Sequence, residues 1–344
     1  MVSQWKKQSV LKRTLGIGLA VLVLGVGAGV GVVRQFYALE WSEWKALREL
    51  RNEGVETEDQ LGDFAALYRD ECRVSEQPSP NCTCLVLVHG AGDQSLTWKR
   101  ILLEPHASWV HPVRFWAIDL PGFGRTPVDA LVSKGSGGGS ESQLLQSLRA
   151  RHLGRKLGDF MFADPRASQC TSWGVIGNSF GGWVAAWAHL EHPRKIQKLM
   201  LVDSTGLDLQ ISKLLSSGED SDFNGSIEGL KEFQKKAYFK PRELPESVWR
   251  QAAKRMKTGS TSVLRKAQSR EDALDTYLPS LRAQNFVFWG KEDRVTPLEE
   301  GREFAKRLPG AVLREAPECG HLPQKECPKA LISVINDFVF YGKM

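Results

Sequence analysis

From residue 15 to residue 33 the chain carries no charged or strongly polar side chain. About 19 residues rising about 1.5 Å each cover roughly the 30 Å hydrocarbon thickness of a bilayer once. Further on, Leu39, Trp44, Leu47 and Leu50, then Leu61, Phe64, Ala65, Leu67 and Tyr68, recur at spacings of three and four among charged residues. That pattern predicts amphipathic helices over 38–71. Pro78, Pro80 and Asn81 break it, and the hydrophobic signal then changes character. Residues 84–88 are a short apolar run rich in β-branched side chains that stops at His89-Gly90. Residues 113–120 stop at Pro121-Gly122, residues 173–176 stop at Gly177-Asn178, and 199–202 follow. Buried strands ending in turns, each followed by a helical stretch, predict an α/β protein with a mostly parallel sheet covered by helices on both faces.

Residues 133–142, S-K-G-S-G-G-G-S-E-S, read as a mobile loop before a helix over 143–162. Between 207 and 284 the pattern becomes helical and basic, with 12 Lys and Arg against 3 acids from Lys231 to Arg270. The strand signal returns at 286–289, then a helix, a strand at 311–314, and a last helix ending near Phe340. A helical cap is thus expected inside a regular sheet.

The 344 residues are 42% hydrophobic and 25% charged, which suits one large or two small globular domains. A mean hydropathy of -0.30 excludes a polytopic membrane protein. The net charge of +6 changes the picture little, because Lys6, Lys7, Lys12 and Arg13 precede the apolar run and Arg34 alone follows it closely. That asymmetry predicts a single-pass anchor with the N-terminus in the cytoplasm and the rest outside it. It gives nucleic acid binding no support. The competing expectation is an exported soluble protein, since Val26-Gly27-Ala28 offers small residues to a signal peptidase.

Gly177-Asn178-Ser179-Phe180-Gly181-Gly182 follows a strand and opens a helix, the context in which G-x-S-x-G forms a nucleophile elbow. A serine hydroxyl needs a base, and the base needs a carboxylate to hold its tautomer. His321 and Asp293, each just past an expected strand, supply these in the order Ser179, Asp293, His321. Glu292 and Asp203 are rivals for the acid. His106, His111, His152, His189 and His192 read as surface or packing residues. The amide of Phe180 is one expected oxyanion donor, and that of Ala91, in His89-Gly90-Ala91-Gly92, is the other. His89 itself reads as a turn residue bonded to nearby backbone. No metal site or dinucleotide fingerprint is evident, so no cofactor is expected.

V-H-G-A-G, D-L-P-G-F-G-R-T, G-N-S-F-G-G, W-G-K-E-D-R-V-T-P and C-G-H-L-P-Q-K-E-C-P together resemble the α/β-hydrolase superfamily over about residues 84–340. Serine at the elbow is unlike the epoxide hydrolase and haloalkane dehalogenase branches. The chain is similar to membrane-anchored monoacylglycerol lipase-like esterases and to meta-cleavage product hydrolases. The expected domains are a cytoplasmic tail and single transmembrane anchor, or a signal peptide, at 1–34, a helical stem or N-terminal extension at 35–83, a hydrolase core split between 84–206 and 285–344, and a helical cap at 207–284. The family's N-terminal hairpin is expected to be replaced or preceded by helical sequence. The implied activity is serine-dependent hydrolysis of a carboxylic ester, an acylglycerol or another lipid-soluble ester. Carbon–carbon bond hydrolysis and a catalytically dead, membrane-tethered binding module are the alternatives. Cys319 and Cys327 bracket His321 and are candidates for a disulfide in an oxidising compartment. Cys72, Cys82, Cys84 and Cys170 offer other pairings.

Overall fold

The computed structural model describes residues 38–72, 82–105, 108–130, 140–216, 225–258 and 260–340. The apolar run at 15–33, the small residues at 26–28, His106 and most of the glycine-serine stretch lie outside them. Among the described residues no helix is long and apolar enough to cross a membrane.

Helix α1 (Ala38–Asn52) leads into β1 (Glu56–Leu61) and β2 (Phe64–Asp70). These two pair antiparallel, Leu61 opposite Phe64. The helix expected up to residue 71 therefore ends at Asn52, and the N-terminal hairpin is preceded by helical sequence rather than replaced by it. Gly62, at a φ of 62°, takes the left-handed conformation that a two-residue hairpin turn needs. Residues 64–68 are buried as a continuous run, as in a strand covered on both faces rather than a helix with one wet face.

The remaining strands are β3 (Thr83–Val88), β4 (Val113–Asp119), β5 (Ser172–Asn178), β6 (Ile196–Val202), β7 (Gln284–Gly290) and β8 (Val312–Ala316). They form one eight-stranded sheet in the order β1-β2-β4-β3-β5-β6-β7-β8. β2 runs antiparallel to β4, and all pairs from β4 to β8 are parallel. Every residue of β3 is buried, and its side chains alternate between two cores. Val86 and Val88 pack in the layer of Leu153, Leu157, Val184 and Trp187, while Leu85 and Leu87 face that of Leu331, Ile335 and Phe338.

Helix α2 (Lys99–Leu102) lies between β3 and β4, and the helix expected over 143–162 is two, α3 (Glu141–Ser147) and α4 (Ala150–Ala163). Ser140 starts α3 with a capping box to Gln143, so the end of the glycine-serine stretch is structured. Helix α5 (Phe180–Glu191) follows β5. α6 (Asp208–Ser216), α7 (Ile227–Ala237), α8 (Glu246–Thr258) and α9 (Thr261–Ala267) lie between β6 and β7, and α10 (Leu298–Arg307) lies between β7 and β8. The inserted helices are fastened to their surroundings by charge. Arg149 pairs with Asp272 at 2.7 Å, Arg255 with Glu43 and Glu40 of α1, and Arg270 with Asp208 at 2.6 Å. Two cations of this region, Arg255 and Arg270, are thus locally neutralised.

All six cysteines are paired, as Cys72–Cys82, Cys84–Cys170 and Cys319–Cys327. The pair around His321 is the one its spacing suggested.

Candidate active site

Ser179 follows the last residue of β5 and precedes α5 with φ 55° and ψ -122°, a strained conformation for a non-glycine residue. The turn holds it there. Ser179 N donates to Val202 O at 3.0 Å, and its own carbonyl accepts from Gly182 N at 2.9 Å and Thr205 N at 3.1 Å. Gly181 is required by close approach, since a β-carbon there would stand 2.4 Å from Val88 O. Gly90 abuts the serine in the same way: its β-carbon would lie 3.0 Å from Ser179 Cβ. The turn after β3 therefore lies directly beside the elbow. Ala91 is half-buried in that turn, and Phe180 is the first residue of α5, where the helix has free amides.

Asp293 and His321 lie in the turns after β7 and β8 and meet. His321 Nδ1 stands 2.7 Å from Asp293 Oδ2, with the residues 3% and 5% exposed. Asp293 Oδ1 accepts from Val295 N at 2.7 Å and Thr296 N at 3.0 Å, and Oδ2 accepts from Thr296 Oγ1 at 2.6 Å. Burial raises the Asp293 carboxyl, but His321 and these donors outweigh it and hold the group below the usual carboxylate range. An ionised, acceptor-only Asp293 makes Nδ1 of His321 the protonated nitrogen and leaves Nε2 free to accept. Asn178, the residue before Ser179, donates from Nδ2 to His321 O at 3.0 Å and brings the base loop against the elbow. The described contacts include no hydrogen bond from Ser179 Oγ to His321.

The rivals lie elsewhere in this network. Glu292 Oε2 accepts from Cys319 N at 2.9 Å and so braces the disulfide loop. Asp203, at the end of β6, is fully buried, and its Oδ1 accepts from Gly290 N at 2.9 Å. Burial and the neighbouring Asp293 charge push its carboxyl well above the usual range. His89 Nδ1 lies 2.7 Å from Gly90 O and its Nε2 accepts from Leu120 N at 3.0 Å, the turn role expected of it. His189 bonds Ile196 O and Arg282 N, and His192 bonds Arg155 O. His152 lies within 3.4 Å of Arg155, and His111 stacks on Phe340.

Thr296, Asn178 and Gln324 were not singled out by sequence reasoning. Thr296 had a local signal, because Asp-x-x-Thr is a spacing at which a carboxylate caps the backbone three residues on. Gln324 had none: its Nε2 bonds Asn178 Oδ1 and Thr97 Oγ1, 146 and 227 residues away in the chain.

Residues 85–334 match the profile of the alpha/beta hydrolase family. Among curated proteins, the 2-hydroxy-6-oxononadienedioate/2-hydroxy-6-oxononatrienedioate hydrolase of Paraburkholderia phymatum is 24% identical over 277 residues. That match takes in 74% of this chain and 86% of the relative. Among solved structures, a membrane phospholipase A described as a bacterial virulence factor superposes with a TM-score of 0.64 at 23% identity, covering 95% of this chain and 98% of its own. A putative lipase of Acinetobacter baumannii gives a TM-score of 0.60 at 23% identity, over 86% and 95% of the two chains. At such identities the structural likeness speaks for the fold.

Proposed function

This chain belongs to the alpha/beta hydrolase family, and on that premise we propose that it cleaves carboxylic esters, an acylglycerol or another lipid-soluble ester, through an acyl-enzyme on Ser179. Ser179 Oγ attacks the ester carbonyl while Nε2 of His321 takes its proton. Asp293 holds the imidazole by Nδ1 and stabilises the imidazolium that forms. The amides of Phe180 and Ala91 receive the oxyanion. The protonated Nε2 then gives its proton to the departing alkoxide as the carbon–oxygen bond breaks, and a water activated by the same nitrogen releases the acid.

The observation that carries this reading is the buried 2.7 Å contact of His321 with Asp293, on the loops beside a strained Ser179. The apolar run at 15–33 serves as a membrane anchor that leaves the hydrolase part outside the cytoplasm. The charge asymmetry around that run and the pairing of all six cysteines support this topology. Signal cleavage and export of a soluble enzyme is the competing outcome.

A second reading, carbon–carbon bond hydrolysis with the same three residues, is favoured by the activity named for the Paraburkholderia relative and by the G-N-S elbow. A panel of p-nitrophenyl esters of increasing chain length, with a monoacylglycerol and a meta-cleavage dienoate beside them, separates the two. Turnover of the esters alone is the expected result; turnover confined to the dienoate reverses the assignment.

A further inference from the structure

Lys325 lies on α11 (Pro323–Glu326), four residues after His321, and its Nζ donates to Asp93 Oδ2 at 2.6 Å. Asp93 is two residues past Ala91, in the turn after β3. Its amide donates to Gly90 O at 3.2 Å, and its Oδ1 accepts from Gln94 N at 3.0 Å. One ion pair therefore joins the loop of the base to the loop of the second oxyanion donor. Burial disfavours charge on both partners, yet each outweighs it for the other: Asp93 is held below the usual carboxylate range and Lys325 above the usual ammonium range.

Lys325 is tied to the rest of its loop. The Cys319–Cys327 bond closes the segment, and Glu326 Oε2 accepts from Gly320 N at 2.8 Å inside it. The adjoining Gln324, fully buried, bonds Thr97 beyond the oxyanion loop and Asn178 before the nucleophile. Lys325 is thus mounted on the same closed loop as His321. The turn it grips is the reverse case. Gly90 and Gly92 flank Ala91, with Gly92 at a φ of 80°, and glycine gives a backbone little stiffness of its own. Oxyanion donors stabilise a transition state only when fixed in advance, and a misplacement of about 1 Å can cost about 10²-fold in rate.

We propose that Lys325 is a positioning residue: through Asp93 it holds the Ala91 amide at the place beside Ser179 where the tetrahedral oxyanion forms. The inference rests on the reading of Ser179, His321 and Ala91 given above.

The test uses the full chain with Lys325→Met, Lys325→Arg, Asp93→Asn and the double variant Lys325→Met/Asp93→Asn. Asp93→Asn keeps the side-chain shape and guards against a folding failure of Lys325→Met. Each single loss of charge is expected to lower kcat about 10- to 100-fold with KM within about threefold, as for a group acting on the transition state. The affinity of a boronic acid, which forms a tetrahedral adduct on the serine, should fall in parallel. The double variant should be no worse than the weaker single, and Lys325→Arg should recover most of the activity. Boronate affinity within about twofold of wild type in both single variants, with hydrolysis still dependent on Ser179, overturns the proposal and leaves the site assignment standing. Hydrolysis by the wild type that survives Ser179→Ala overturns the assignment beneath it as well.

Discussion

Asp203 and Asp293 follow neighbouring strands of one sheet, and of the two it is Asp293 that bonds the imidazole of His321, at 2.7 Å. Asp203 instead accepts from Gly290 N, the amide that ends β7 just before the acid turn. Asp293 is thus the carboxyl we propose as the one that orients the base, and Asp203 braces the backbone beside it.

Asp293→Asn should therefore lower kcat/KM about 10³- to 10⁴-fold, because an amide presents no full charge to the imidazolium and can hold the wrong tautomer. Asp203→Asn keeps an acceptor for Gly290 N and should cost less than about tenfold. Steady-state kinetics on both variants decide the matter. A larger loss from Asp203→Asn would move the acid to the loop after β6.

The same pair predicts a pH dependence of stability. Asp203, raised above its unfolded value near 3.8, holds a proton in the folded chain that the unfolded chain has released. Stability then falls as pH rises from that value through the folded one. Asp293 is lowered, so its contribution has the opposite sign: present above the unfolded value and lost as pH falls through the folded one. Asp203→Asn removes the first effect alone. Its stability relative to wild type should improve between pH 5 and pH 8 in urea unfolding, and a constant difference across that range would contradict the assignment.

Disulfide loss should scale with the loop that each bond closes. The Cys319–Cys327 separation of 8 residues corresponds to about 2 to 3 kcal/mol in the chain-entropy account, and the 86 of Cys84–Cys170 to about 4 to 5 kcal/mol. Paired Cys→Ser variants in denaturant titrations test the order. Peptide mapping of non-reduced protein checks the connectivity, and free thiols at 319 and 327 would refute the bridge around His321.

For the anchor, the full-length protein should remain in the membrane fraction after alkaline carbonate washing, with its initial Met or the residue after it as N-terminus. A washed-off chain starting just past residue 28 would show instead that the segment is a cleaved signal.

The legible parts of the fold were those whose signal is local. β3 reads as a continuous apolar run because both its faces are covered, and the elbow reads from glycines that steric contact demands. The hairpin was not legible as such. β1 is Glu-Thr-Glu-Asp-Gln-Leu, too polar to alternate, while Leu61, Phe64 and Leu67 happen to repeat every three residues and imitate a helix. Gly62-Asp63 was the signal that could have corrected it. In the site, residues that act through short turns stood out, whereas Lys325 and Gln324 did not. Their partners are 232 and 227 residues away, and no single-sequence periodicity carries such a pairing.

The account depends first on Ser179 as the nucleophile. A fluorophosphonate probe incubated with the full-length protein, followed by peptide mapping, tests this most directly. One adduct on the peptide containing Ser179 is expected, absent from Ser179→Ala and slowed about 10³-fold or more in His321→Ala. A folded wild-type protein that takes no label, or takes it on another residue, would contradict the central claim.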